Sequence, residues 1–429
     1  MAHSLTRPIP RRTFLETGAL AVGALATARV LGAEKPAVPA GPKAHVTARD
    51  MLRGLLYTKK EVDEWLAGKA FPFAKYSSEY GWLLRPGRVR EGVDKSVCVY
   101  TFGPLDERIT INYRDRPCRI NTYGNSYTQC HQVSDGETWQ EALAAHLQEP
   151  LRNFGVGGWS VYQAYLRMLR EEQRAPAEFI VFNIYEDDHF RNLDSWRNIR
   201  AKKHVRFIEP TLPHVVVNAE EQRFDERPNP CPTPASVYHL TDLDWVEQQF
   251  KDDFALRIML AHANATASNP EQAYADINRL ATTHGIITRV DTGAALSKAA
   301  EALHCRTAYF SSMRIVEKIE TYARQTGKRV LYVLSGPARN IAQFVSEGVR
   351  RDQPFVDFMR AQKLPFVDLL DTHVRDFASY KGDIKDYLAR HFIGHYNPRG
   401  NFFCAQAIKG PLVQMLDPKP VPYRSDSEV

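Results

Sequence analysis

A serine hydroxyl becomes a useful nucleophile only when a base takes its proton, and histidine is the usual base because its pKa lies near neutrality. The 429-residue chain places a serine in Gly124-Asn125-Ser126 and a histidine in Gly394-His395-Tyr396-Asn397-Pro398. Ser126 and His395 are far apart in sequence, as partners of this kind usually are. Acyl transfer through them also needs donors preorganised for an oxyanion. The run Asn153-Phe154-Gly155-Val156-Gly157-Gly158 offers backbone N–H groups, that of Gly158 among them, and Ser126 offers its own.

Such residues need elements to bring them together. Ile120 and Tyr123 lead into Gly124-Asn125-Ser126, and Thr138 then opens the amphipathic run W-Q-E-A-L-A-A-H-L. That reads as strand, tight turn, serine and helix. Gly124 allows a bend that a Cβ would hinder. The turn lifts Ser126 at the carboxyl end of a strand, where open α/β sheets bind ligands. From Arg119 the pattern alternates: strand 119–123, helix 138–147, strand 151–156, helix 160–172, then the strand Phe179 to Tyr185, apolar almost throughout. Alternation of this kind predicts a parallel sheet covered by helices. Residues 195–300 break it with prolines from 210 to 234, extended pieces such as 214–217 and a helix near 271–284. They are expected to form an insertion between strands three and four, either a cap or rim at the site or a structural elaboration. The alternation resumes with a helix near 307–326, strands 329–334 and 365–370, a helix near 353–363 and a closing helix at 402–416.

The three blocks, in this order, resemble those of the SGNH (GDSL-type) hydrolases and frame about two-thirds of the chain. The resemblance implies an α/β fold of the SGNH/flavodoxin-like kind, a three-layer sandwich around a parallel sheet. It implies Ser126 as nucleophile, His395 as base, and the N–H groups of Ser126 and Gly158 as oxyanion donors. It also implies ester hydrolysis without cofactor or metal, on an O-acyl group, acetyl above all, carried by a carbohydrate. A polysaccharide O-acyltransferase of the same fold and a non-catalytic carbohydrate-binding relative are the alternatives.

The chain departs from the family at three places. Asn125 stands where the family has aspartate. The family's third block supplies an asparagine side chain to the oxyanion, whereas here Glu186 or Asp187 occupies that position, and a carboxylate there would repel an oxyanion. Asn183 or Asn125 is then the candidate donor, Asn125 by an exchange of roles. The family's D-x-x-H is also broken, because Phe392 stands three residues before His395. Asp383, Asp386, Asp368 or a backbone carbonyl could orient the imidazole instead. The group Glu186-Asp187-Asp188 admits two readings: paired carboxylates for acid/base work on a sugar, or a charged strand-end loop with Arg191 as counter-ion.

Composition bounds the rest. Apolar residues are 44% and charged residues 25% of the chain, an ordinary globular mixture, and the length is ample for a large core. Arg7, Arg11, Arg12 and Arg29 against Glu16 contribute +3 of the net +6, leaving +3 without the first 33 residues. That gives no argument for nucleic acid, and the basic stretch 201–206 reads as solvated surface. Arg11-Arg12-Thr13-Phe14-Leu15 resembles the twin-arginine export signal, and an uncharged run from Gly18 to Ala28 follows it. A bilayer span needs roughly 20 apolar residues, and Arg29 ends this run short of that. The resemblance implies a signal peptide over residues 1–33, the twin-arginine export machinery as partner, a bacterial source, and a periplasmic or extracellular location without stable membrane insertion. Residues 34–115 are expected to hold a Pro/Ala linker (34–43) and a strand-rich extension packed on the catalytic domain. Within it, 48–67 reads as short helices, and 80–87, 97–101 and the I-T-I-N-Y run as extended. Residues 116–417 form the hydrolase domain and 418–429 a tail. Six cysteines without C-x-x-C spacing argue against a zinc site. Cys98 and Cys118 are the pair nearest in sequence on expected strands for a disulfide, with buried free thiols as the alternative. Gly155–Gly158 lacks a P-loop lysine, and His391 with His395 lacks H-E-x-x-H. Trp139, Trp159 and Trp245 could stack on a sugar or fill the core.

Overall fold

The computed structural model describes residues 44–69, 73–201, 211–286 and 288–424. The export signal, the Pro/Ala linker, most of the 201–206 stretch and the end of the tail lie outside them.

Two short helices come first, Ala48–Arg53 and Lys59–Leu66, each opened by a reciprocal cap, Thr47 with Asp50 and Thr58 with Glu61. Such a box satisfies two orphan N–H groups at once. Two hairpins follow: β1 (Ala74–Ser77) with β2 (Gly81–Leu84), and β3 (Gly87–Arg90) with β4 (Val97–Tyr100). The expected extension through I-T-I-N-Y forms no strand. The N–H groups of Ile111 and Asn112 donate to the Glu141 carboxylate at 2.9 and 2.8 Å, so this segment is tied to a helix and not to a ladder.

The chain continues through β5 (Ile120–Tyr123), β6 (Leu151–Asn153) and β7 (Phe179–Tyr185), the antiparallel pair β8 (His214–Asn218) and β9 (Arg223–Arg227), then β10 (Arg329–Ser335) and β11 (Phe366–Asp368). Five of these make one parallel sheet in the order β11-β10-β7-β5-β6. Counted within the sheet this is 2-1-3-4-5, the flavodoxin-like order, and its direction reverses between β5 and β7.

Both faces of the sheet are covered. Ile180, Phe182 and Ile184 of β7, with Val330, Tyr332 and Leu334 of β10, pack against the helices Val161–Arg174, Gly293–Thr326 and Gln353–Ala361. Phe179 and Val181, with Leu331 and Val333, pack against Trp139–Leu147 and Pro398–Met415. Strands buried on both sides show the continuous apolar runs read in the sequence. The 34-residue helix Gly293–Thr326 begins well before the expected 307 because Thr292 caps it by accepting from Ala295 N–H.

Among the described residues, 186–328 add no strand to the central sheet. A third core joins Leu52, Trp65 and Trp82 of the amino-terminal segment to Trp196, Leu240 and Phe250, and to Val156 and Trp159. The amino-terminal segment therefore leans on the loop that carries Gly157 and Gly158. Trp139 and Trp159 are fully buried, and Trp245 lies between His239 and Phe250, so these three indoles form no stacking surface. All six cysteines are free thiols, Cys98 and Cys118 included.

Candidate active site

The site is built at the end of β5. Gly124 has φ of +146°, and a Cβ there would lie 2.8 Å from the Asn183 carbonyl oxygen, so glycine lets the turn close against β7. Asn125 caps the one-turn helix Ser126–Gln129, its Oδ1 accepting from Tyr127 N–H at 2.8 Å. Its Nδ2 donates to Asp188 Oδ1 at 2.8 Å. That bond spans the ends of β5 and β7, where the strand order reverses. It gives a reason for asparagine at this position: an aspartate would set two buried carboxylates against each other. The Asn125 oxygen thus serves the turn and one amide N–H serves Asp188, so donation to an oxyanion would fall to its second N–H.

His395 lies between the helices Ile384–Ala389 and Pro398–Met415. Its Nε2 is 2.8 Å from Ser126 Oγ. Among the described residues no carboxylate is hydrogen-bonded to the ring. Gln132 Oε1 accepts the His395 N–H at 2.7 Å and stands 3.3 Å from Nδ1. An amide oxygen only accepts, so Nδ1 carries the proton and Nε2 is left to accept from the Ser126 hydroxyl. Gly394 makes this approach possible: its φ is +123°, and a Cβ would meet Gln132 Oε1 at 2.8 Å.

Of the acids considered for this role, Asp368 and Asp383 are engaged elsewhere and Asp386 is exposed on the helix Ile384–Ala389. Asp368 pairs with Arg350 at 2.6 Å. Asp383 caps Ile384–Ala389 by accepting from Asp386 N–H at 2.8 Å. Burial holds the His395 imidazole well below its ordinary pKa, with His131 and Arg191 pushing the same way. The imidazole is therefore neutral at neutral pH.

The residue after the base is fixed by a directed chain of hydrogen bonds. Tyr387 Oη donates to Asp376 at 2.9 Å and accepts from His373 Nδ1 at 3.0 Å, leaving His373 Nε2 to accept from Tyr396 Oη at 2.8 Å. His391 turns its Nδ1 to the Tyr387 carbonyl at 3.0 Å and forms no ligand pair with His395. Among the described residues no group of three or more His, Cys, Asp or Glu is placed to hold a metal ion.

The Gly157 carbonyl accepts from the Trp82 indole N–H at 3.1 Å, and the Gly158 carbonyl accepts from Arg197 at 2.8 Å. Across a trans peptide C=O and N–H point opposite ways, so the Gly158 N–H faces away from Trp82. Among the described residues neither it nor the Ser126 N–H has a hydrogen-bond partner. Asn183 accepts from the Ser335 hydroxyl at 2.7 Å, and its Nδ2 is buried without a partner among the described residues.

The acidic group is matched by arginines. Glu186 pairs with Arg351 at 3.4 Å and Arg339 at 3.6 Å. Asp187, expected at the site, instead holds Arg191 and Arg200, each at 2.8 Å. Burial would raise the Asp187 carboxyl, but Arg200 and then Arg191 hold it well below the usual carboxylate range. Asp188 accepts from Arg191, Asn125 and Tyr185 N–H at 2.8, 2.8 and 3.0 Å, while burial pushes its carboxyl up to about 7. The paired-carboxylate reading fails for the same reason, and Arg191 is the counter-ion.

Ser126 is 8% exposed. A cavity of only about 10 Å³ is lined by Phe73, Leu84, Glu91, Tyr100, Gln129 and His131. The arrangement can pass a hydroxyl proton to a neutral imidazole in a site nearly closed to solvent.

No protein-family model matches the chain, and no curated protein matches it. Eight chains of solved structures do. One is a protein from Desulfitobacterium hafniense DCB-2, provisionally described as a lipolytic protein of the G-D-S-L family. It is 9% identical, with a TM-score of 0.28, and the match covers 67% of this chain and 98% of that one. At those values the likeness carries no argument.

Four residues at the site escaped the sequence reading: Gln132, which faces His395; His131, whose ring lies beside it; Glu91, which pairs with His131; and Trp82, which holds the Gly157 carbonyl. Gln132 and His131 follow Ser126 closely in Y-T-Q-C-H-Q, and that polarity directly after the serine is the signal that could have found them.

Proposed function

We propose that this chain is a serine-type ester hydrolase. The observation that carries the reading is the 2.8 Å approach of His395 Nε2 to Ser126 Oγ at the carboxyl end of a parallel sheet. Ser126 Oγ attacks the acyl carbon as its proton passes to His395. The Ser126 and Gly158 N–H groups receive the oxyanion, a role their lack of other partners supports. His395 then gives the proton to the leaving alcohol, and water attacks the acyl-enzyme with His395 again as base. The substrate we propose is an O-acyl ester, acetyl first, on a carbohydrate, met outside the cytoplasm after twin-arginine export. A screen of the full chain against acetylated glycans and model acyl esters, with Ser126→Ala alongside, tests this. Ester cleavage that survives Ser126→Ala contradicts it. The burial of Ser126 favours acyl transfer as a second reading, because a dry site disfavours water as acceptor. Acyl product appearing on an added glycan alcohol in place of free acid would select transfer.

A further inference from the structure

We propose that Trp82 sets the orientation of the oxyanion peptide, selecting the turn in which the Gly158 N–H, and not the Gly157 carbonyl, faces the acyl oxygen. The proposal rests on the Ser126–His395 reading, and Trp82 acts in it as a positioning residue.

Val156 to Trp159 form a β-turn. The Trp159 N–H donates to the Val156 carbonyl at 3.3 Å, and of the two central residues only Gly158 has a positive φ, +81°. That is the type II geometry, which asks for glycine at its third position. A type I turn closes with the same end-to-end bond and differs by a flip of the central peptide. Two glycines at the centre leave both forms open to this sequence. The flip exchanges the sides to which the Gly157 carbonyl and the Gly158 N–H point.

The turn lies against the nucleophile. The Val156 N–H donates to the Gly124 carbonyl at 3.1 Å, and a Cβ on Gly157 would stand 3.7 Å from Ser126 Cβ. Arg197 holds the Gly158 carbonyl at 2.8 Å, and its Nε pairs with Asp194 at 2.8 Å. Both ends of the turn are therefore fixed, and the central peptide is the part left to rotate. Trp82 Nε1–H donates to the Gly157 carbonyl at 3.1 Å. The peptide is planar and trans, so this bond turns the Gly158 N–H to the opposite side.

Trp82 cannot follow a flip. It is 4% exposed and pairs with Tyr76 across the β1–β2 hairpin. Gln163, on the helix Val161–Arg174, pins that hairpin by donating from Nε2 to the Tyr80 carbonyl at 2.7 Å. A Cβ on Gly158 would meet Trp82 Cζ2 at 3.0 Å, so the ring also packs on the turn. A flip to type I would break the bond to a buried indole and aim a carbonyl dipole at the developing oxyanion. The amino-terminal hairpin, which adds no strand to the central sheet, thereby becomes part of the catalytic device.

The test is fluorophosphonate labelling of the full chain, in which the Oγ–P bond forms, P–F breaks, fluoride leaves and the serine proton passes to His395. Trp82→Phe keeps a ring on the turn and removes the N–H. Trp82→His removes the benzene ring but keeps a donor, Nε2, two bonds from Cγ as in indole. Trp82→Phe should lower the maximal labelling rate about tenfold, with the half-saturating probe concentration unchanged. Trp82→His should melt lower than Trp82→Phe and yet label faster, an order that loss of packing alone would reverse. Wild-type labelling by Trp82→Phe, or rates in the two variants that follow their melting temperatures, overturns the proposal. If Trp82→His does not fold by circular dichroism, the rate and half-saturation of Trp82→Phe decide; if Trp82→Phe does not, a Trp82→His rate about tenfold below wild type overturns it. Ser126→Ala separates the two claims: labelling that survives it sinks the serine-hydrolase reading, whereas its loss beside wild-type labelling of Trp82→Phe sinks only this inference.

Discussion

Gln132 offers the sharpest perturbation of the site. Its Oε1 holds the His395 N–H at 2.7 Å and faces Nδ1 at 3.3 Å. Gln132→Leu removes both. The orphaned N–H should lower stability by about 1–3 kcal/mol. Loss of the correct tautomer at a triad histidine can lower kcat about 10⁴-fold. The contact here is longer and neutral, so a fall of about 10–10²-fold is expected, worth ~1.4–2.7 kcal/mol of barrier. Gln132→Glu acts the other way on charge: a carboxylate within about 4–6 Å raises an imidazole pKa by roughly 1–3 units. In the wild type, burial keeps His395 neutral well below its ordinary pKa, so the rate should hold as pH falls through 6.5. In Gln132→Glu the acid limb should move up by about 1–3 pH units. The assay is cleavage of 4-nitrophenyl acetate across pH, with melting temperature measured alongside. A wild-type rate in Gln132→Leu, or an unmoved limb in Gln132→Glu, refutes the reasoning.

Asn125→Asp should destabilise the fold by on the order of 3 kcal/mol at pH 8, because it sets a second carboxylate against Asp188, and denaturant midpoints should show the gap narrowing at pH 5. His189, His304 and His373 are buried, with burial lowering their pKa to about 4, 3 and 3. Their contribution to stability is complete above the unfolded value near 6.5 and is lost as pH falls below it, by about 1.4 kcal/mol per pH unit each; a melting temperature flat from pH 7 to pH 4 would contradict this. A reporter fused to residues 1–40 should leave the cytoplasm, and export undiminished by Arg11→Lys with Arg12→Lys would remove the twin-arginine proposal.

The sheet was legible because its chemistry is local. Phe179 to Tyr185 and Arg329 to Leu334 carry apolar residues on both faces, and nothing but a doubly covered strand suits them. Ser126 and His395 were legible because a turn glycine and an ordered set of blocks mark them. The support of the base was not. An acid three residues before His395 would have left a motif, whereas Gln132 reaches it through the left-handed turn at Gly394, a geometry with no short signature. Glu91 reads as one more charged residue beside a hairpin, and only the folded chain brings it to His131. Asn125 was read by analogy with an aspartate, and Asp188, the residue that explains it, lies in a run where three successive carboxylates look alike. The Ile109 to Tyr113 alternation misled because the Ile111 and Asn112 N–H groups had a buried side chain, Glu141, as a partner in place of a strand.

The measurement that bears most directly on the Ser126–His395 assignment is the mass and location of a fluorophosphonate adduct. One adduct should form, peptide mapping should place it on Ser126, and Ser126→Ala should abolish it. His395→Ala should slow its formation by about 10³-fold or more, and adding Ser126-independent background should leave no faster route. An adduct on another residue, or wild-type labelling in His395→Ala, would contradict the assignment.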